Sequence, residues 1–588
     1  NYLYFSIFVT LNFETMKNLY ITLLLLIAYN FGYTQNYEWL FTADGSNQGG
    51  DLESTIDNNN NIIFGGFFTS DTMFAGQDTL INAWAPNPAG FLIKKNSNGN
   101  VLWAKVLSSP TNLNVSNVSG IDTDNFRNVY VTGSFSGDNM HFGNNISVNC
   151  SDDVAFYVVK YNPSGMAIWA KTGSLNNTIT GEGAKGRSIV VDDLGNSYVG
   201  CDLRGGALII DSQNVPNPIM PASSAILLKL TPNGSFVNSF SSGIESEEGS
   251  GLAMTPAGSV VYVTTFKNTN VSIGGSILIN PEDGSASGAI IKFTSNLDVI
   301  WAKAFGSNGD DDFIHLDVDN LGSIYVAGMI QGATSMEFGP TTISSPANVL
   351  GVIAKFGSQG NKLGAITTTS ANNAGISAFT DIDIVNYNEM YVTCLFDSAE
   401  TFLGQTSVGN PANFSGFLAK IDSSGNATWM YEASDGDSTY FLTVEHDQAG
   451  NIYFGGWYTG PGISFGGGTS ITNGGSEHHD VFFTKISDQC NLSLSISTTG
   501  ATCGANNGSA SVAVNGGSSA YSYQWTSGDS TQTTGPLSAG IYQVNIVDVD
   551  YGCQISGVAL VSDDGGATIN PLPGPSNHVT CPGGNDGQ

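Results

Sequence analysis

The sequence is short of charge, and above all of positive charge. Only 12% of its 588 residues are charged, and 18 Lys and Arg stand against 50 Asp and Glu, for a formal net charge of −32. A surface that neutralises nucleic-acid phosphates needs clustered cations, so we expect no nucleic-acid partner. The acidity favours solubility outside the cell and leaves cation binding open.

Long apolar runs are also scarce. The chain has one at its start, Leu19–Ala28, which follows Met16 and Lys17 and precedes small or polar residues. This pattern is typical of a secretory signal peptide and is too short for a spanning helix. We therefore predict a non-native extension over 1–15, a signal peptide over 16–34, no transmembrane segment, and an exported protein.

Familiar catalytic motifs are absent. The sequence contains no nucleophile elbow, phosphate-binding loop or CxxC pair. It therefore predicts a protein that is not an enzyme and carries no organic cofactor. A catalytic set assembled from distant residues stays open, because such residues need only be neighbours in space.

What the sequence does contain is a repeat. The segment "FLAKIDSSGNATW" at 417–429 has near-copies down the chain, and their lysines are spaced 63 to 69 residues apart. Seven regular copies indicate a repeat architecture. The aligned lysines are Lys94, Lys160, Lys229, Lys292, Lys355, Lys420 and Lys485.

Each repeat holds four strand-like runs. The second run, as in "NVYVTG" or "NIYFGG", alternates with a period of two, and Asp/Asn/Gly clusters such as "DSSGN" separate the runs. Period-two alternation predicts strands, and the clusters predict tight hairpins. Four antiparallel strands per unit, in seven units without helical periodicity, predict an all-β propeller.

The two ends of the repeat region fit one another. The segment "YEWLFTADG" is a fourth-strand sequence whose Trp39 lies 64 residues before Trp103, whereas the last repeat has no fourth strand after "VFFTKIS". We predict that the N-terminal strand lies beside Phe482–Ile486 and closes the ring, which removes an exposed edge.

The pattern "FYVVKYNPSGMAIWAK … GIDTDNFRNVYVTGSF" resembles the seven-bladed β-propeller repeat family of bacterial exported proteins over residues 36–488. Asn238 and Gly364 depart from it, since they replace a tryptophan. Residues that recur in every blade indicate a scaffold role rather than a binding site, with lysine stems covering apolar surface. The same holds for the blade-packing tryptophans Trp39, Trp103, Trp169, Trp301 and Trp429.

Composition shifts after Asp488. Alternating runs such as "SASVAV" and "IYQVNIVDV", with Gly/Ser turns, predict a small immunoglobulin-like β-sandwich over 489–566. Cys503 and Cys553 bracket its strands and are predicted to form a disulfide in an exported protein, although Cys490 is a competing partner.

This module resembles the SprB repeat of bacterial cell-surface adhesins, through "TCGANNGSASVAVNGG" and "LSAGIYQVNIVDVDYGC". Residues 567–588 then read as a linker and the truncated start of a second repeat. The resemblance implies a protein secreted to, or displayed on, the bacterial surface by type IX secretion. Attachment would lie in a C-terminal region outside this sequence.

The longer connections, between second and third strands and between repeats, fall on one face, and loops on a rigid scaffold are common recognition sites. We therefore expect a binding or adhesion protein for an extracellular glycan or protein. Asp310, Asp311 and Asp312 on this face are weak calcium candidates. Two alternatives remain, an enzyme acting on polysaccharide through acids at the channel mouth, and a structural surface spacer.

Overall fold

The computed structural model describes most of the chain between Asn36 and Ser562. The described ranges are 36–47, 52–76, 78–108, 115–137, 139–150, 152–176, 182–245, 250–267, 270–280, 285–332, 336–343, 349–370, 375–397, 401–404, 406–409, 414–433, 437–465, 470–472, 479–487, 493–502, 505–516, 520–548 and 554–562. The predicted signal peptide and the predicted Cys503–Cys553 disulfide lie outside these residues.

The described residues form strands and turns, and no helix occurs among them. The strands are, in chain order, β1 Asn36–Asn47, β2 Glu53–Ile56, β3 Ile62–Phe68, β4 Thr72–Ala75, β5 Asp78–Ile81, β6 Ala89–Lys95, β7 Val101–Leu107, β8 Gly120–Thr123, β9 Val129–Phe135, β10 Asn139–Gly143, β11 Ile146–Asn149, β12 Ala155–Tyr161, β13 Ala167–Lys171, β14 Ser174–Leu175, β15 Gly183–Val191, β16 Ser197–Arg204, β17 Leu208–Ile210, β18 Gln213–Val215, β19 Ser223–Leu230, β20 Phe236–Glu245, β21 Ser250–Met254, β22 Val260–Phe266, β23 Asn270–Ile273, β24 Ser276–Ile279, β25 Ser287–Phe293. They continue as β26 Val299–Phe305, β27 Asp311–Val318, β28 Ile324–Gln331, β29 Met336–Phe338, β30 Thr341–Ile343, β31 Val349–Phe356, β32 Lys362–Thr367, β33 Thr369–Ser370, β34 Ser377–Asn386, β35 Glu389–Phe396, β36 Thr401–Leu403, β37 Thr406–Val408, β38 Ser415–Asp422, β39 Ala427–Glu432, β40 Ser438–His446, β41 Asn451–Thr459, β42 Gly462–Ser464, β43 Ser470–Thr472, β44 His479–Ser487, β45 Ser493–Thr499, β46 Gly508–Asn515, β47 Tyr521–Trp525, β48 Thr533–Leu537, β49 Gly540–Asp548 and β50 Gln554–Val561.

Seven four-stranded sheets follow one another in the described part of Tyr37–Ser487. In order they are β2-β3-β6-β7, β8-β9-β12-β13, β15-β16-β19-β20, β21-β22-β25-β26, β27-β28-β31-β32, β34-β35-β38-β39 and β40-β41-β44-β1, here named the first to the seventh sheet. Each has its first strand at one edge and its fourth strand at the other.

The sheets form a closed ring. The first strand of each sheet contacts the first strand of the next, and β40 of the seventh sheet contacts β2 of the first. Each apolar core combines residues from two successive sheets, and one of them joins Tyr453 and Phe483 of the seventh sheet to Ile62 and Phe91 of the first. The core therefore lies between the sheets, all the way around.

The strand that completes the seventh sheet comes from the other end of the repeat region. β1 lies beside β44, Thr484 donates a hydrogen bond to the Trp39 carbonyl at 2.9 Å, and the Lys485 amine lies 2.5 Å from the Glu38 carboxylate. The Trp39 ring stacks on Phe483 with centroids 6.4 Å apart. The prediction that the Trp39 segment lies beside Phe482–Ile486 is confirmed.

A repeated joint connects the outer edges of neighbouring sheets. The indole N–H of a fourth-strand tryptophan donates to a carbonyl in the tight turn of the next sheet, and its ring covers a glycine of that turn. The donor–acceptor pairs are Trp39–Ser97 at 3.1 Å, Trp103–Pro163 at 3.1 Å, Trp169–Pro232 at 2.9 Å and Trp301–Ser358 at 3.2 Å. These contacts give the tryptophans a structural role between neighbouring sheets.

Three joints depart from this pattern, and one of them has Gly364, without a side chain, in place of the tryptophan. Asn238, which replaces a tryptophan, keeps the bond through its side-chain N–H, 2.8 Å from the Asn296 carbonyl. Trp429 is 1% exposed, and its indole nitrogen has no hydrogen-bond partner among the described residues. The reason is topological, because the seventh sheet draws its fourth strand from β1 and so has no turn between its third and fourth strands.

The repeated lysines are largely buried, from 1% exposed at Lys94 to 8% at Lys160 and Lys292, with Lys355 half-buried. The Lys94 amine lies 2.7 Å from Asp57, and the Lys229 amine donates to the Ser295 carbonyl at 2.6 Å. These amines sit on the side of the ring that carries the short turns. This is the geometry expected of scaffold residues that satisfy turn carboxylates and carbonyls.

The second-to-third connections are more ordered than a loop prediction implies. Each contains a two-stranded hairpin, such as β4–β5 or β23–β24. In β4–β5 the side chains of Met73, Ala75 and Leu80 are buried in the core shared by the seventh and first sheets. Hairpins of this kind contact the fourth strand of their own sheet. The hairpins widen each sheet, and the ends of the strands, rather than the hairpins, surround the mouth of the channel.

A second compact unit begins at Asp488. Its described residues form two three-stranded antiparallel sheets, β45-β46-β48 and β47-β49-β50. Trp525, Val512, Val544 and Ala559, drawn from both sheets, are buried in its core.

Cys150, Cys201 and Cys394 are buried free thiols. Burial raises the pKa of the Cys201 and Cys394 thiols well above the ordinary value. Within the described ranges, no helix is long and apolar enough to cross a lipid bilayer.

The turn glycines under the tryptophans provide a test of the repeated joint. Gly234 has φ +78°, and a Cβ there would lie 2.7 Å from the Trp169 ring. Gly258 has φ +74° in a similar turn with no atom within 4 Å of that position. Gly258→Ala should cost about 1–2 kcal/mol for left-handed backbone alone. Gly234→Ala should cost ~1–3 kcal/mol more, because the turn must also move away from the indole.

Denaturant midpoints of the two variants measure this difference. Equal losses of stability in both would show that the indole does not press on the turn.

Candidate functional site

The ring encloses a polar channel. A cavity of ≈ 350 Å³ is lined by residues from the first strands of all seven sheets. Most of its charged residues are acids: Glu53, Asp122, Asp317, Asp381, Asp383 and Glu445, with Arg187 and His315 as the cations. Carboxylates dominate the charge facing the axis.

Four of these acids occupy equivalent positions. Each lies directly opposite the tyrosine of the second strand, and the pairs are Asp122–Tyr130, Asp317–Tyr325, Asp383–Tyr391 and Glu445–Tyr453. Sequence analysis did not single them out. The signal was available, because the first-strand segments "GIDTD", "HLDVD", "DIDIV" and "TVEHD" place an acid at the same register.

Three channel carboxylates tie neighbouring sheets together. Asp122 accepts a hydrogen bond from the Val191 amide of the third sheet at 2.6 Å. Asp317 accepts one from the Ile384 amide of the sixth sheet at 2.7 Å. Asp381 does the same with Val444 of the seventh sheet, at 2.9 Å. Each carboxylate also accepts the amide of the next residue in its own strand. These acids are structural acceptors.

Crowding and burial favour the protonated acids. Burial raises the pKa of Asp122 and of Asp317 from 3.8 to about 7 in each case. Burial and the neighbouring carboxylates, Asp383 first among them, raise the pKa of Glu445 well above its ordinary value. Between about pH 4 and pH 7, Asp122 and Asp317 therefore retain protons that the same side chains would release in water.

Two histidines offset part of this negative charge. His446 Nδ1 lies 2.6 Å from Asp383 Oδ2, and His315 Nδ1 lies 3.5 Å from Asp381 Oδ1. Burial opposes their charged forms, but the hydrogen bonds and the adjacent carboxylates raise the pKa of both histidines. Both pairs therefore favour the imidazolium.

A second cavity opens at the long-connection end of the channel. Its volume is ≈ 420 Å³, and it shares Glu53 and His315 with the channel. Apolar side chains from the fifth, sixth and seventh sheets, including Met329, Leu395 and Leu442, form most of its wall. We name this cavity the mouth pocket.

Aromatic rings form one side of the mouth pocket. Tyr440 and Trp457 are a cross-strand pair whose rings stack at 3.5 Å between centroids, 22° from parallel. His479 stacks on Trp457 at 4.6 Å. Tyr440 and Trp457 are half-buried and face the cavity. Glu53 and Asp312 add carboxylates to the same wall, so the pocket presents apolar rings beside hydrogen-bond acceptors.

The predicted calcium residues do not converge on one point. Asp310 accepts the Ala286 amide at 3.0 Å. Asp311 is 1% exposed and accepts from the Ser307 hydroxyl at 2.7 Å. Asp312 lines the mouth pocket. No group of three His, Cys, Asp or Glu within the described ranges is placed to hold a metal ion.

Four-stranded sheets arranged around a central cavity define a β-propeller, a class in which the first strands line the axis and the ends of the channel are open to ligands. The fold and the channel thus establish an all-β propeller repeat protein.

Known proteins agree with this class at a coarse level. No family model matches the chain. It is similar to an uncharacterized WD repeat-containing protein of Acanthamoeba polyphaga mimivirus, at 24% identity over 520 residues, which covers 73% of this chain and 36% of that protein. The chain thus spans about a third of that relative's length.

Solved structures resemble the chain only weakly. They include a protein of unknown function from Dyadobacter fermentans, with 10% identity, a TM-score of 0.33 and coverage of 76% and 99% of the two chains. An apocarotenoid oxygenase mutant from Synechocystis has 11% identity, a TM-score of 0.35 and coverage of 76% and 95%.

The channel acids predict a dependence of stability on pH. Asp122 and Asp317 have folded-state pKa values of about 7 against 3.8 in water, so between these values the folded chain binds more protons than the unfolded chain. Stability is therefore greatest below this window and falls as pH rises through it, by at most about 1.4 kcal/mol per pH unit for each proton. The raised histidine pKa values act in the same direction.

Apparent thermal midpoints at pH 5.5 and 8 measure the effect. Asp317→Asn, which keeps an oxygen for the Ile384 amide, should reduce the difference between the two midpoints. Asp298→Asn, at an exposed turn, is the matched control and should leave it unchanged. A midpoint that rises with pH would contradict the assignment.

Proposed function

We propose that this chain is a non-catalytic binding protein that takes a glycan at the mouth pocket. The observation that carries the proposal is the ≈ 420 Å³ cavity in which Tyr440 and Trp457 stand beside Glu53 and Asp312. Pockets of this size suit compact ligands, and rigid aromatic side chains beside a few polar groups are a common binding arrangement.

The shape of the pocket favours a sugar over a protein surface. The cavity is concave and continues into the channel through Glu53 and His315. One or two sugar rings place apolar C–H groups in contact with the apolar side chains of the wall and hydroxyls against the carboxylates. Protein–protein interfaces bury a much larger and flatter area. An extracellular protein is therefore the second ligand class, to be compared in the same experiment.

The state of the channel acids supports binding over catalysis. Hydrolysis of a glycoside needs two carboxylates free to transfer a proton and to activate water or attack the sugar. Asp122, Asp317 and Asp381 instead accept two backbone amides each. We therefore propose that these acids hold the ring together and do not act on substrate.

The finer architecture and the cellular setting belong to the same proposal. We infer a seven-bladed β-propeller followed by an immunoglobulin-like, SprB-like repeat, on the strength of the resemblances in the sequence. In this proposal the protein is exported and displayed on a bacterial surface as an adhesin. In this proposal Ca²⁺ assists binding through Asp312.

Replacing Trp457 tests the proposed site. In a glycan-array and surface-extract screen with the full chain, Trp457→Ala should weaken binding about 10- to 100-fold, because stacked aromatic anchors contribute ~1–3 kcal/mol. Tyr387→Ala removes an exposed aromatic from the short-turn side of the ring and should leave binding unchanged. Thermal midpoints confirm that both variants are folded.

Four outcomes would overturn parts of the proposal. Release of sugar from a bound polysaccharide would identify an enzyme. Binding to extracted proteins alone, lost in Trp457→Ala, would replace the glycan with a protein ligand. No binding to glycan or extract would favour a structural spacer. Binding that is equal with Ca²⁺ and with chelator, and unchanged in Asp312→Asn, would remove the calcium-assisted version.

A further inference from the structure

The few cations of this chain are unevenly placed. Of its 18 Lys and Arg, seven are the repeated lysines of the scaffold. Lys185, Arg187 and Arg204 instead line one cavity of ≈ 130 Å³. We name this cavity the basic pocket. Three cations at one place are notable in a molecule whose net charge is −32.

The strand register places these side chains on one surface. In the third sheet, Lys185 of β15 is opposite Asp202 of β16, and Arg204 is opposite both Gly183 of β15 and Ser223 of β19. Residues opposite one another, and residues two apart along a strand, share a face of the sheet. Lys185, Arg204 and Ser223 therefore surround a single depression at the long-connection end of the sheet.

Glycine lets the second sheet close the other side of the pocket. Val154 lines the cavity and forms a parallel bridge with Gly183. The space for a Cβ at Gly183 is occupied by the Val154 carbonyl. A larger residue at Gly183 would force the sheets apart, so the pocket has a fixed wall.

A β-bulge directs the third cation. The register of β15 against β16 shifts between Gly186 and Ser188, which leaves Arg187 as the extra residue. Its Nε lies 2.6 Å from the buried Asp202 carboxylate. Arg187 also lines the central channel, so the basic pocket and the channel share a wall. Bulges commonly re-aim a side chain in this way.

The charge balance leaves two cations available. Asp202 is compensated by Arg187. Lys185 and Arg204 are exposed, and neither has an ion pair within the described ranges. Glu182, next to the lining residue Gly183, is 8% exposed and packs against Gly205, and Asp153 precedes the lining residue Val154. The basic pocket therefore presents two cationic side chains that have no ion-pair partner within the described ranges, and Ser223 lies beside them.

We propose that the basic pocket binds an oxyanion, a carboxylate or sulfate group, carried by an acidic polysaccharide. The proposal rests on the proposed function, and it narrows the ligand class from glycans in general to anionic glycans. A cavity of ≈ 130 Å³ has room for one oxyanion but not for a sugar ring with its substituents. Arg and Lys form charge-assisted hydrogen bonds with such groups.

The net charge makes this recognition local. A polyanion is repelled by the surface of a chain with 50 acids and 18 bases, so binding requires a specific cationic site. The basic pocket lies at the same end of the ring as the mouth pocket, because Arg204 ends β16 as Trp457 approaches the end of β41. An extended polymer chain therefore has an anchoring group on this end.

Binding of polygalacturonate, dextran sulfate and neutral dextran to the full chain tests the proposal. Lys185→Gln and Arg204→Gln should each weaken polyanion binding about tenfold, and the double variant about a hundredfold. Lys303→Gln makes the same charge change at an exposed site on β26 and is the matched control. Because the two side chains are exposed, the thermal midpoint should not change.

Binding of polygalacturonate alone would support the proposal with a carboxylate, and binding of dextran sulfate alone would support it with a sulfate. Binding of neither polyanion, or equal weakening by Lys303→Gln, would overturn it.

The experiments can overturn the mouth pocket and the basic pocket separately. If Trp457→Ala abolishes glycan binding while Lys185→Gln and Arg204→Gln leave polyanion binding intact, the basic pocket is wrong and the mouth pocket stands. If only the cation variants matter, the basic pocket stands and the mouth pocket is wrong.

Discussion

The pairing of β1 with β44 is the constraint on which the ring depends. It is made by the Thr484 hydroxyl on the Trp39 carbonyl, by the Lys485 and Glu38 ion pair, and by Trp39 stacked on Phe483. Without this strand the seventh sheet would end in three strands with an unpaired edge. The core that joins the seventh sheet to the first would also lose Phe41 and Trp39. The channel and the mouth pocket both depend on the spacing of the sheets, which this closure fixes.

Around the rest of the ring, polar groups join neighbouring sheets at two distances from the central axis. On the outside, tryptophan indoles donate to turn carbonyls of the next sheet, and at the axis, carboxylates accept amides of the next sheet. The apolar cores lie between these two layers. An axis lined with acids is costly, because burial and mutual repulsion disfavour the charged forms. Amide hydrogen bonds, histidines and retained protons offset that cost.

The sequence predicted the strands well because the alternation has a period of two and recurs at a near-constant interval. It predicted the neighbour of Trp39 because a fourth strand stood at one end of the repeat region and was missing at the other. The same pattern also separated scaffold positions from sites, since a residue present in every repeat has equivalent surroundings each time. Asn238 shows how a departure is accommodated, because a side-chain amide can replace an indole as the donor.

The sites were less predictable, for a physical reason. The mouth pocket joins side chains from several sheets, and residues as far apart in sequence as Glu53 and Trp457 become neighbours only through closure. Asp310, Asp311 and Asp312 are consecutive, yet Asp310 precedes β27, whereas Asp311 and Asp312 are neighbours within the strand and point to opposite faces. The basic pocket escaped notice because Arg187 sits at a bulge, which breaks the alternation that sequence analysis follows.

The pairing of β1 with β44 also affects the order in which the protein is synthesised and folded. Residues bonded across β1 and β44 are separated by 445 positions, so the ribosome synthesises the β1 partner long before the β44 partner. The first six sheets can assemble from consecutive segments as they emerge, whereas β1 stays unpaired until β44 has been synthesised. The entropy of joining such distant segments grows only with the logarithm of their separation. The delay, rather than the distance, raises the risk of aggregation, because β1 is an unpaired strand during translation. A chaperone would be of most use at this stage.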